Sequence, residues 1–251
     1  MPKLMLHMHQ VRQFIDDRET FYQYYLNGKH QKDEIYFQVG RAIDFATKVF
    51  HTDQKNGYDR MYNSKDYKTL DERWQTVVFA MMEGYADNYK DDYFKNYREE
   101  AYKVNLGPFV IHNSPDLVAE DYTGNTWIIE IKSSSEPASL IAEDFQTICY
   151  AWAYLYKTGN PPKGILKRIL KKPTIKQTKK ETFKEYVQRL IGVYADKPEK
   201  YYLHRYVFTD FYQLMRFEKY LINILKEMAE YMFEEKTDKY KFYKKSDRRW
   251  V

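Results

Sequence analysis

The run "WIIEIK", residues 127–132, places Glu130 and Lys132 inside an otherwise apolar stretch. The two-residue period of a strand sends residues 128, 130 and 132 to one face, so a carboxylate and an ammonium lie side by side while Ile129 and Ile131 face away. Such a pair is either a structural ion pair or part of a site. Upstream, "SPDLVAED" reads as a second strand, and "YTGN" as the turn between them, with Gly and Asn able to take positive φ. Asp116 then sits near the far end of a hairpin, where pairing and twist can bring its carboxylate to Glu130. Two carboxylates and a lysine converging in a half-buried place are costly to desolvate. A divalent cation offsets that cost, and Mg2+ is typically held by one or two carboxylates plus waters and phosphate oxygens. The lysine then adds positive charge near a bound water and a phosphate.

The surrounding elements must hold these residues in place. Residues 10–26 read as helical, and so do residues 34–50, where Ile35, Val39, Ile43, Ala46 and Phe50 recur at helical spacing. Residues 51–68 are polar and Tyr-rich and read as a loop, followed by a helix over about 71–90. From about residue 97 the texture changes to short strands in "EEAYKVNLGPFVIHN" and in the stretch around Glu130. A helix over about 138–157 follows, stopped by "TGNPP"; then come a strand in "GILKRILKK", a helix over 178–195 and a strand in "YYLHRYVFT". Asp210 is placed to cap a long helix running to about 234, with Leu214, Phe217, Leu221, Ile224, Leu225 and Met228 on one face. This order implies an α/β or α+β fold, a mixed sheet flanked by helices.

The chain of 251 residues is 43% hydrophobic, and its nine Gly and eight Pro form no linker. We expect a single compact domain over 1–251, with a core at about 34–210 and helical ends appended. The start is not a signal peptide and no run reaches transmembrane length, so the expectation is a soluble, cytoplasmic protein without membrane contact. The lone Cys149 excludes a disulfide framework, and within one chain excludes a zinc cluster or a four-cysteine iron–sulfur site. The absence of a P-loop or G-x-G-x-x-G motif leaves no sign of a nucleotide cofactor. The net charge of +5 is unevenly spread. Residues 163–180 hold eight Lys/Arg and no acid, among them Lys171, Lys172, Lys176, Lys179 and Lys180, and the tail "KYKFYKKSDRRW" interleaves bases with aromatics. Such clusters suit a polyanion, DNA or RNA, though a solvated basic face reads the same way.

Pro115-Asp116 and Glu130-Ile131-Lys132 together resemble the signature of the PD-(D/E)XK nuclease superfamily. The resemblance covers roughly residues 34–175. It implies a restriction-endonuclease-like fold and a metal-dependent nuclease. Asp116, Glu130 and the Ile131 carbonyl would ligate one or two Mg2+ or Mn2+, and Lys132 would assist the attacking water. Gln146 and Tyr150, spaced i, i+4 in "QTICY", resemble the Q-x-x-x-Y helix of the RecB-type and phage exonuclease branch, which lies beside the site. That branch usually carries G-x-x-x-H upstream. Here Gly40 is present and Asp44 stands where the His is expected, an oxygen donor that also suits Mg2+ or Mn2+. A further Glu of the branch corresponds to Glu100, or to Glu99. The implied activity is exonucleolytic hydrolysis of linear double-stranded DNA in phage-type recombination or repair. A ring-shaped homo-oligomer and a single-strand annealing protein as partner are implied with it. The alternatives are a structure-specific endonuclease, an RNA-acting nuclease, or an inactive nucleic-acid-binding module. Outside this set, His7 and His9 in "HMH" invite a metal reading but lie near a terminus, and His30, His112 and His204 show no partner pattern.

Overall fold

The computed structural model describes residues 4–29, 34–53, 55–90, 92–140 and 144–237. The expected basic tail and His30 fall outside the described residues. Among those described, the strands are β1 (Leu4–His7), β2 (Phe94–Arg98), β3 (Tyr102–Leu106), β4 (Phe109–Asn113), β5 (Leu117–Asp121), β6 (Thr126–Ser134), β7 (Gly164–Lys171) and β8 (Tyr202–Phe208). The helices are α1 (Met8–Asp16), α2 (Arg18–Phe21), α3 (Ile35–Thr52), α4 (Gly57–Asn63), α5 (Lys65–Lys68), α6 (Glu72–Tyr89), α7 (Phe145–Thr158), α8 (Phe183–Asp196), α9 (Pro198–Tyr201) and α10 (Phe211–Thr237). Five strands form a mixed sheet in the order β2-β5-β6-β7-β8, and three form a smaller one, β1-β4-β3. This is a mixed α/β architecture with a central sheet flanked by helices.

In the main sheet only β6 and β7 run parallel, joined through α7. Parallel strands require such a crossover. Asp144 starts α7 by accepting the Thr147 N–H at 2.9 Å, and Gly159 ends it at φ 78°, a left-handed cap that suits a residue without Cβ. Both faces of β6 are covered. Ile128, with Val118, Ile165 and Val207, packs under α1, α7 and α10. Ile129 and Ile131, with Leu117, Leu166 and Leu170, pack under α3, α6 and α8. A strand buried on both sides reads as a continuous apolar run, so a charge within it stands out.

Some elements differ from expectation. Residues 57–68 fold as α4 and α5 rather than as a loop. Ser64 accepts the Tyr67 N–H at 3.2 Å, and Met61 and Tyr67 are buried, so two small anchors suffice in a polar stretch. The N-terminal helix does not run unbroken to residue 26: Asp17 is extended, recaps α2 through Thr20, and a π turn follows over Tyr22–Leu26. β1 was not anticipated, because only Leu6 of its four residues is buried and no alternation can be read from one position. The helix placed over 138–157 begins at Phe145, after a 3-10 turn at Pro137–Leu140.

The β5–β6 turn sets the register on which the Asp116–Glu130 pairing rests. Asp121 Oδ1 accepts the backbone N–H groups of Thr123 and Asn125, both at 2.9 Å, and Oδ2 accepts Trp127 Nε1 at 3.0 Å. These bonds hold its carboxyl well below the usual carboxylate range against the opposing cost of burial. Replacing Asp121 by Ala orphans the buried indole N–H and frees the turn, a loss of about 2 kcal/mol or more at pH 7. A group whose folded pKa is depressed contributes stability above its unfolded pKa and loses it as pH falls. Urea unfolding should therefore show the gap between wild type and Asp121→Ala at pH 7 and a narrower gap as pH drops below the ordinary carboxylate range.

Candidate active site

The hairpin pairs Leu117 with Ile129, which brings Asp116, one residue earlier, level with Glu130. Asp116 Oδ2 accepts the backbone N–H of Ile131 at 2.7 Å, and its Oδ1 pairs with Lys48 Nζ at 2.9 Å. Glu130 is 1% exposed. Lys132 Nζ lies against Glu130 Oε1 as an ion pair, while its side chain stays 41% exposed and reaches toward solvent.

Helix α3 delivers the other half of the site. Gly40, Asp44 and Lys48 lie four residues apart on one stripe of it. A Cβ at Gly40 would meet Ser133 Oγ at 3.8 Å, so the helix runs beside β6 just past Lys132. Lys48 Nζ bridges two carboxylates, Asp44 Oδ2 and Asp116 Oδ1, each at 2.9 Å. Sequence reasoning missed Lys48, although its spacing four residues after Asp44 was a readable signal.

Helix α7 covers the opposite side of Glu130. Gln146 Nε2 donates to Tyr150 Oη, and burial, then the charge of Glu130, pushes the Tyr150 hydroxyl pKa upward. Lys167 on β7 is in register with Glu130 but turns its ammonium to Asp144 Oδ2 at 2.7 Å and to the Leu140 carbonyl at 3.3 Å. Asp116, Glu130, Lys132, Gln146, Tyr150 and Asp44 thus converge. Glu100 lies apart, between β2 and β3, accepting from Arg98 Nε and from Tyr102 Oη at 2.5 Å. The charges that dominate at Glu130 are Asp116, Lys132 and Asp144.

The basic run divides. Lys167, Arg168 and Lys172 are buried, Lys171 is half-buried, and Lys176, Lys179 and Lys180 are exposed. Lys172 donates to the Tyr36 carbonyl at 3.3 Å, and burial lowers its pKa, so the expectation that it grips DNA fails on desolvation. Arg168, on the other face of the sheet, binds Asp92 Oδ2 at 2.5 Å, Tyr97 Oη at 2.9 Å and His51 Nε2 at 2.9 Å, with Tyr89 stacked 4.5 Å from its guanidinium carbon. It is a structural cation.

Three carboxyls that resist sharing negative charge make the electrostatics distinctive. Burial, then Asp116, pushes Glu130 up to about 8 despite Lys132. Burial, then Asp116, pushes Asp44 up to about 7 despite Lys48. Burial disfavours the charge on Lys132, but Glu130 and Asp116 outweigh it and the pKa rises. Asp44 Oδ1 and Glu130 Oε2 are buried without a hydrogen-bond donor, and Glu130 Oε1 has only the Lys132 ammonium. Under-compensated hard oxygens that repel one another suit a hard divalent cation. Among the described residues no three His, Cys, Asp or Glu side chains are already closed around a cation position. Where Asp44 and Asp116 approach each other, the Lys48 ammonium stands between them. The donors therefore fit such an ion in chemistry, and Lys48 would have to yield its place.

The model of the PD-(D/E)XK nuclease superfamily matches residues 21–240. Among solved structures, that of a protein called SSO0001 aligns at TM-score 0.32 and 11% identity, over 86% of this chain and 85% of the other. That of LHK-Exo in complex with dAMP aligns at TM-score 0.33 and 13% identity, over 78% of this chain and 91% of the other. Both likenesses are faint. No curated protein matches the chain. No described helix is long and apolar enough to cross a membrane.

Burial and Asp116 raise the folded pKa of Glu130 to about 8, against an ordinary value of 4.5. Between these values such a group binds more protons in the folded chain than in the unfolded one, so its contribution to stability falls as pH rises. His51 and His204, lowered by burial, act in the opposite sense, and equally with or without Glu130. In chelator, the urea unfolding free energy of wild type should therefore fall relative to that of Glu130→Gln from pH 5 to pH 8.5; equal slopes for the two proteins would contradict this electrostatic account.

Proposed function

The chain belongs to the PD-(D/E)XK nuclease superfamily, whose members generally use divalent metal ions, and from that premise we propose that it is a Mg2+- or Mn2+-dependent deoxyribonuclease of the RecB-type and phage exonuclease branch, acting on linear double-stranded DNA. The observation that carries this is the convergence of Asp116 and Glu130 from paired strands with Lys132 on the same face.

Asp116, Glu130 and Asp44, with the Ile131 carbonyl, would hold the metal, which supplies Lewis acidity to the phosphate and lowers the pKa of the attacking water. The chain's own groups do the rest. Lys132, kept protonated by Glu130 and Asp116, orients water and phosphate by charge at the rim, where it remains accessible. Tyr150 and Gln146 form a linked pair close enough to feel the charge of Glu130, placed to meet substrate. Asp116 is held by the Ile131 N–H, which limits how far its carboxylate can turn when the cation enters. Lys171, the last residue of β7, and Lys176, Lys179 and Lys180 beyond it supply sequence-blind contacts to the phosphate backbone.

The Lys48 bridge gives a second reading a physical basis: an ammonium that never leaves would make the chain a binding module without cleavage. End-labelled linear duplexes and closed circles, incubated with Mg2+, Mn2+ or chelator, decide between them. Linear DNA should be degraded with metal and spared with chelator. Glu130→Gln, Asp116→Asn and Lys132→Ala should each cut the rate by about 100-fold or more while the chains stay folded. Survival of every substrate, with DNA binding that weakens steeply with salt, would establish the binding module instead.

A further inference from the structure

The N-terminal "HMH" gains a partner that the sequence could not supply. β1 lies parallel to β4 with His7 in register with His112. Their imidazoles meet edge to face, ring centroids 4.8 Å apart, and the two Nδ1 atoms are 3.1 Å from each other. His9, in the first turn of α1, stacks on His7 with centroids 5.5 Å apart. Two nitrogens bound to one Zn2+ at about 2.0–2.1 Å stand about 2.9–3.4 Å apart for ligand angles between a right angle and the tetrahedral one. The His7–His112 separation falls inside that range. We propose that His7 and His112, joined by His9 after a side-chain rotation, form a binding site for a borderline transition cation, Zn2+ above all, separate from the carboxylate centre.

The chemistry of the surroundings supports this choice of ion. Imidazole suits Zn2+, whereas Mg2+ and Mn2+ prefer carboxylate, carbonyl and water oxygens. Without an ion the two Nδ1 atoms share a hydrogen bond, whose proton an incoming cation would displace. Among the described residues no three His, Cys, Asp or Glu side chains already stand around one cation position, so His9 must move to complete the site. The main chain at His7 is fixed by its N–H to Gln10 Oε1, at 2.8 Å, which sets where that ring stands. The ring also faces the Gln10 backbone N–H in a capping box, a contact that metal binding would replace. His7 is exposed and His112 half-buried, so an ion can reach them from solvent. Bound there, it would staple β1 and the start of α1 to the β3–β4 hairpin, adding to four backbone register pairs and a shared apolar core. The two sites differ in donor type, imidazole nitrogen here and carboxylate oxygen there, so they would prefer different ions.

The test uses the full, untagged chain and Zn2+ alone, read by calorimetric titration and by thermal melting. Wild type and Glu130→Gln should bind Zn2+ alike and melt several degrees higher with it. His112→Ala and His7→Ala, in either background, should lose affinity by about tenfold or more and lose the shift in melting temperature. Circular dichroism checks that these variants fold, and His112→Gln, which keeps bulk and polarity without a strong ligand, should behave as His112→Ala does. Unchanged Zn2+ affinity in the histidine variants would overturn the proposal. So would affinity lost only with Glu130→Gln, which would assign the ion to the carboxylates.

Discussion

The hydrogen bond from the Ile131 backbone N–H to Asp116 Oδ2 is the contact around which the candidate active site is arranged. It spends the side chain of one proposed ligand on the backbone of the strand that carries the others. Asp116 therefore cannot turn away from Glu130, however strongly the two repel. What prevents that repulsion from opening the hairpin lies at its other end, where Asp121 binds the turn and Trp127. Burial on both faces of β6 then stops the strands from slipping, since a one-residue shift would move Glu130 into the apolar layer under α3 and α6.

The charges inside the fold are managed in two ways. On the face of β7 away from Glu130, Arg168 is enclosed by Asp92, His51 and several tyrosines, with compensation on nearly every side. On the near face, compensation is incomplete: Glu130 has Lys132 at one oxygen, and Asp44 shares Lys48 with Asp116. Removing one partner from a buried pair is strongly destabilising, so the first cluster has little freedom to change. The second is held short of neutrality, and burial with mutual repulsion raises the pKa of Asp44 and of Glu130.

How much of this was legible in the sequence follows from how local each signal is. Glu130 and Lys132 could be placed because strand alternation needs only neighbouring residues. Asp116 could be placed because a hairpin turn is written in a few residues, and α7 because its apolar face and its Gly159 stop are contiguous. The fates of Lys167, Arg168 and Lys172 were not legible. A basic run looks solvated until partners as distant as Asp92, Tyr36 and the Asp144 cap are folded against it. Lys48 carried a local signal in its spacing after Asp44, but its second partner, Asp116, meets it only when the hairpin is laid beside α3. β1 and the His7–His112 meeting depend on a parallel pairing that brings the N-terminus to residue 109 and beyond, and no turn announces such a pairing.

The parallel pair β6–β7 has a consequence for the order in which the molecule is made. Glu130, Lys132, Gln146, Tyr150 and Lys167 all belong to one β-α-β unit, a short span of consecutive chain. Asp44 and Lys48 leave the ribosome long before that span exists, on a helix whose apolar face has no sheet to lie on. The parts that would hold a cation are thus split between α3 and the later β5–β6 hairpin, with closure waiting on non-local contacts, the slow kind. A nascent chain that has extruded only α3 carries Asp44 and Lys48 with no hairpin to meet them. Vectorial synthesis therefore leaves the carboxylate cluster unassembled until β5 and β6 have emerged.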